Sequence, residues 1–160
     1  MFFDKKEDKR KSSVWNRRTI APLLLCLCTL FIWHNSLQAA GLSGSRSLRL
    51  TQAVNDWFST GGAIAETMIR KLAHFVEYVV EGVLVTAVTW AYELPLRRYI
   101  WHGALFGVLT ALLDETFQLF MEGRAASVGD VWIDFCGFLS GVSLGVLFMW
   151  IRIKGVRRSR

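Results

Sequence analysis

Two polar stretches interrupt a chain of 160 residues that is otherwise rich in apolar runs. The first, Lys71-Leu72-Ala73-His74-Phe75-Val76-Glu77-Tyr78, opens one such run. The second covers 112–141 and carries Asp114, Glu115, Gln118 and Glu122, then Arg124 in a loop, then Asp130 and Asp134. Carboxyl groups, an imidazole and cations brought together are the parts of a general acid–base site. Glu115 or Asp114 would act as base, His74 as acid or electrostatic partner, and Lys71 with Arg124 would hold an anionic group. Two other readings use the same residues: a pocket that binds a polar ligand without reacting with it, and a set of buried clamps between helices. A metal triad from His74, Glu77 and Asp114 or Glu115 is disfavoured. His74-x-x-Glu77 reverses the Glu-x-x-His order of di-iron bundles, and no second histidine lies at that depth. No metal, no cofactor and no catalytic residue is assigned.

The elements that must position these groups follow from composition. Apolar residues make up 52% of the chain and aromatic residues 13%. They concentrate in runs at 20–40, 72–90, 99–121 and 131–151, each near the roughly 20 residues a helix needs to cross a bilayer. The predicted fold is all-α, an integral membrane bundle of four transmembrane helices. A short amphipathic helix lies in the first extracytoplasmic loop, where Leu48, Leu50, Val54, Trp57 and Phe58 recur at helical spacing until Gly61-Gly62. Residues 1–19 form a basic hydrophilic tail, 20–151 the membrane domain and 152–160 a second basic tail. For the first run a cleaved signal peptide is the alternative, but Leu37-Gln38-Ala39 places a large residue where cleavage wants a small one.

Net charge is +6. The basic residues crowd the two ends and the turn at Arg97-Arg98, and aromatic and basic residues do not interleave, so membrane-flanking charge accounts for them better than a nucleic-acid surface. With the amino terminus inside, the outer connectors hold only Arg46, Arg49, Arg70, Lys71 and Arg124. The positive-inside rule then places both termini in the cytoplasm. The same topology carries Lys71 through Glu81, Asp114 through Glu122, and Asp130 with Asp134 to one depth, the outer half of the membrane.

Helical spacing narrows the faces. Lys71, His74, Tyr78 and Glu81 form one stripe with Glu77 on its flank; Asp114 lies four residues before Gln118, and Asp130 four before Asp134. Charges at that depth need partners. The pairs expected are Arg124 with Asp130 or Glu122, and Lys71 with Glu115 or Asp114. Small residues every four positions, Gly137, Gly141 and Gly145 in the last run and Gly103, Gly107 and Ala111 in the third, suggest that these two helices face each other. Cys26, Cys28 and Cys136 fall in apolar runs and imply no disulfide. No Gly-x-Ser-x-Gly, Walker, dinucleotide or His-Glu-x-x-His motif is present.

Lys71-x-x-His74-Phe75-x-Glu77-Tyr78, Asp114-Glu115-x-x-Gln118-x-Phe120 and Arg124-x5-Asp130-x3-Asp134-x2-Gly137-x3-Gly141, with the polar exit of the first helix at 31–36, together resemble the VanZ-like membrane protein family over about 20–150. One position departs: where that family's last helix usually carries Asn, this chain has Asp134, and an ionised carboxylate cannot donate the hydrogen bonds of an amide. The resemblance implies a multi-pass protein of the bacterial cytoplasmic membrane, associated with resistance to glycopeptide antibiotics such as teicoplanin. Its implied partners are membrane lipid and a cell-wall precursor or glycopeptide-related ligand.

Overall fold

The computed structural model describes residues 2–38, 40–58, 65–121, 124 and 126–158; side chains at 2–15, 40–47, 58, 66, 96 and 156–158 are excepted. Among these residues the chain is all-α, with five helices: α1 (Phe2–Ser36), α2 (Ala40–Phe58), α3 (Glu66–Ala91), α4 (Leu96–Leu119) and α5 (Val128–Arg158). Helix α1 runs unbroken from Phe2 through the basic stretch at 1–19 into the first apolar run. Glu122 and Gly61-Gly62 lie outside the described residues.

The burial pattern runs opposite to that of a water-soluble bundle. Fully buried side chains include Glu81, Asp114, Asp134 and Ser36, whereas Leu23, Leu27, Leu105, Leu109, Leu144 and Phe148 are exposed. Water does not favour that arrangement, but hydrocarbon does, since it rewards an apolar exterior and forces polar groups to find partners inside. Three helical segments among the described residues are long and apolar enough to cross a membrane: Asn16–Ser36, Thr67–Ala91 and Val128–Gly155. Four were expected. The 24 residues of α4 are long enough, but Arg97, Arg98, His102, Asp114 and Glu115 dilute its apolar content.

Helix α3 is central and touches all four others, with its largest interface on α5. The third and last apolar runs, expected to face each other, are in contact, but the small residues of the last run face α3 instead. The glycines of α5 face α3: a Cβ at Gly137 would sit 2.5 Å from the Phe75 carbonyl oxygen, and one at Gly141 would overlap the Val79 carbonyl. Gly82 answers from α3, where a Cβ would strike the Phe138 carbonyl. Glycine from both sides lets the two backbones touch. On α4, Gly107 makes room for the Phe138 ring, and Gly103 faces Val85.

Helix α3 stops in a Schellman arrangement. The Leu94 N–H donates to the Thr89 carbonyl at 3.1 Å and the Glu93 N–H to Trp90 at 3.2 Å, with Glu93 at φ 54° in the left-handed region. Pro95 then precedes α4. The amphipathic segment of the first connector is longer than expected and packs against α3. Leu48, Leu50 and Trp57 stay exposed, while Thr51 is buried.

Candidate functional site

Four helices bring polar side chains to one end of the bundle. Asp114 of α4 sits at the centre with no exposure. The Ser36 hydroxyl, from the end of α1, donates to its Oδ1 at 2.5 Å, and the Gln118 amide, one turn on, donates to Oδ2 at 3.2 Å. His74 Nδ1 of α3 lies 3.6 Å from the same Oδ2, too far for a hydrogen bond. Asp134 of α5 completes the group: one ligand atom each from His74, Asp114 and Asp134 lie within 4.8 Å of one another. Tyr78, one turn below His74, is fully buried beside them.

The start of α5 explains which charges pair. Ser127 precedes the helix, and its Oγ accepts from the Gly129 N–H at 3.1 Å. In a capping box the acid three residues on would reach back to the Ser127 N–H. Here Glu115 of α4 accepts that N–H at 2.8 Å instead, and Asp130 is left free to meet Lys71 at 2.5 Å. The expected pairing of Lys71 with Glu115 or Asp114 is therefore replaced by Lys71–Asp130. Among the described residues Arg124 makes no direct contact with an acid, and Asp130, one expected partner, pairs with Lys71; the Arg124 Nη2 donates to the Asn35 carbonyl at 3.4 Å. Burial, then the neighbouring Arg70, push the Arg124 guanidinium below its usual value, while Asp114 and Glu115 pull it back up.

Glu77 accepts from the Asn35 amide at 2.9 Å, so it is held by α1. One turn deeper, Glu81 accepts from Thr29 of α1 at 2.7 Å and from Thr110 of α4 at 3.1 Å, a polar clamp joining three helices. Arg70, Lys71, His74, Glu115, Gln118, Asp130, Ile133 and Asp134 line a cavity of about 20 Å³, room for about one water molecule.

All ten candidate residues (Lys71, His74, Glu77, Tyr78, Asp114, Glu115, Gln118, Arg124, Asp130 and Asp134) fall at this end of the bundle. Beyond the polar exit at 31–36, the helical spacing of the charged residues gives no hint of the part played by α1, in which His34 is exposed, Thr29 and Ser36 are buried and Asn35 is half-buried. A signal existed: Thr29, Ile32 and Ser36 stand at i, i+3 and i+7, one helical face, and all three are buried.

Neither a curated protein nor a solved structure matches this chain. A family model described as VanZ/LLP1 matches residues 20–151, a stretch that contains every residue of the polar cluster. The three apolar helices and this match mark a membrane protein, and the chain belongs to the VanZ/LLP1 family.

Proposed function

We propose that this chain is a bacterial cytoplasmic-membrane protein in which α1, α3, α4 and α5 all cross, with both termini cytoplasmic. Its polar pocket, beneath the outer face, binds the anionic group of an envelope ligand such as a lipid-linked cell-wall precursor. The exterior of α4 supports its crossing: Leu105, Leu109, Leu112 and Leu113 are exposed while Thr110, Asp114 and Glu115 turn inward. The observation that carries the ligand reading is Arg124. Its Nε is buried and has no hydrogen-bond partner among the described residues, and Arg70 lies within its electrostatic reach. A buried guanidinium with an unspent donor beside a second cation is suited to a phosphate or carboxylate. Sequestering such a ligand would change glycopeptide access to it, which is how the resistance implied by the family resemblance would arise.

The test is binding of a fluorescent lipid-linked precursor to the protein in nanodiscs, with an uncharged lipid as control. Arg124→Gln and Arg124→Lys should both fold; Gln should lose binding, and Lys should weaken it by losing the planar fork. Expression of the wild type, but not of Arg124→Gln, should raise the teicoplanin concentration that a susceptible strain survives. Equal binding by wild type and Arg124→Gln would refute the reading.

A second reading, an intramembrane acid–base enzyme on a lipid-linked substrate, draws on the Asp114 carboxyl. Ser36 and Gln118 orient it and His74 stands beside it, the arrangement of a base held by a third group.

A further inference from the structure

We propose that His74, Asp114 and Asp134 bind one divalent transition-metal ion, with Zn²⁺ the best fit. The proposal concerns the same pocket as the ligand reading but stands without it.

Spacing comes first. His74 Nδ1 and Asp114 Oδ2 face each other at 3.6 Å without a hydrogen bond. Two ligands each about 2.1 Å from a tetrahedral ion stand about 3.4 Å apart. The gap is too wide for a hydrogen bond and close to the span of a shared metal. The Asp134 ligand atom, within 4.8 Å of both, needs only a small side-chain adjustment to join them.

Unmet bonding capacity comes second. His74 Nδ1 is buried with no partner among the described residues. Asp134 is 2% exposed, and no hydrogen bond from a described residue reaches its carboxyl. The Tyr78 hydroxyl, fully buried and within electrostatic reach of Asp114 and Asp134, is also without a partner. His74 and Asp134 line one small cavity, and Tyr78 adds a third polar side chain without a partner among the described residues. The large majority of buried polar side-chain atoms are hydrogen-bonded.

Charge comes third. Glu77, Asp114, Glu115 and Asp130 lie within electrostatic reach of Asp134, Glu81 lies within reach of Asp114, and the cations beside them are Arg70, Lys71 and Arg124. With these groups ionised the acids outnumber the cations, an excess of negative charge that a divalent cation would offset. An imidazole with two carboxylates suits zinc. Ser36 and Gln118 fix the Asp114 carboxyl from behind, the outer-shell support that metal ligands usually have. Three protein ligands leave a fourth position open, and His74 and Asp134 both line the cavity where it would point. Glu77, the acid that spacing on α3 puts closest to His74 in sequence, gives Oε1 to Asn35 and keeps a buried Oε2 without a partner among the described residues, but it lies outside the group of mutually close ligand atoms.

The test uses the full chain in detergent, stripped with a chelator and dialysed against Zn²⁺ or, for its visible spectrum, Co²⁺. Wild type should retain about one Zn²⁺ per chain and give the intense bands of four-coordinate Co²⁺. His74→Ala, Asp114→Asn and Asp134→Asn should lose both signals. Arg124→Gln should keep them even as it loses the anionic ligand, which separates failure of this proposal from failure of the ligand reading. Folding is controlled by Asp134→Asn. Neutralising a buried carboxyl that lacks a partner should leave the melting temperature in chelator unchanged or raised, and Zn²⁺ should raise the wild-type value alone. Wild type that retains no more Zn²⁺ than Asp134→Asn, with no thermal shift, would overturn the proposal.

Discussion

The Tyr92 hydroxyl donates a 2.9 Å hydrogen bond to the Arg18 carbonyl, the acceptor that Pro22 leaves without its helical partner. Proline has no N–H to give to the residue four before it, so the turn after α3 supplies the donor from outside. Arg18 returns the contact through Nε to the Ala91 carbonyl at 3.0 Å, at the end of α3. Tyr92→Phe should destabilise the protein by about 0.5–1.5 kcal/mol. In a Pro22→Ala background the same change should cost less, because the helix then satisfies Arg18 itself. Thermal unfolding of the four variants in detergent measures the coupling, and a coupling of zero would contradict this account.

The Glu81 clamp is unequal. Thr29 gives its proton to Glu81 alone at 2.7 Å, whereas Thr110 shares one proton among Glu81, the Phe106 carbonyl and the Gly107 carbonyl. Thr29→Val should therefore cost about 1–2 kcal/mol and Thr110→Val about half of that. Unfolding by graded detergent denaturation would show the order, and Thr110→Val proving the more damaging would count against it.

Two glycines of α5 should respond oppositely to one methyl group. At Gly141 the added carbon would overlap the Val79 carbonyl and lie 2.8 Å from its carbonyl carbon. Backbone cannot rotate away, so Gly141→Ala should cost about 2–3 kcal/mol. Gly155 has nothing within 4 Å, and Gly155→Ala should be neutral or stabilising by up to about 1 kcal/mol through helix propensity. Melting temperatures of the two variants decide the matter.

Topology is open to chemical labelling. In a background with Cys26, Cys28 and Cys136 replaced by serine, Ser127→Cys should react with a membrane-impermeant maleimide in intact cells. Gly155→Cys should react only after lysis. The reverse pattern would place the 122–130 turn in the cytoplasm and remove the outer-face pocket.

Much of this was legible in the chain itself. The stripe from Lys71 to Glu81 is a face of α3 because 3.6-residue periodicity fixes it, and its burial grades from exposed Lys71 to fully buried Glu81. Depth was legible too, since acids are excluded from hydrocarbon unless partnered. Pairing was not. Which acid meets Lys71 depends on Glu115 having been taken by the Ser127 N–H, a tertiary contact with no local pattern. The small-residue spacing marked α5 as closely packed but did not say against what: Gly82 is a single glycine in α3, and one glycine gives no repeat to read. Thr29 and Ser36 carry no charge to mark them in the sequence, although in lipid a hydroxyl facing inward matters more than an imidazole facing out, as His34 does.

Backbone contact between α3 and α5 has a mechanical consequence. Where carbonyls lie against glycine α-carbons, neither helix can slide or roll without collision, so the pair behaves as a fixed wall carrying His74 on one side and Asp134 on the other. Any gate that admits something larger than a water molecule has to be made by α1 and α4 swinging outward. Gln118 would move with Asp114 on α4, whereas Ser36 of α1 would have to let go of that carboxyl or follow it, so entry of a guest and the posture of the carboxyl become a single event.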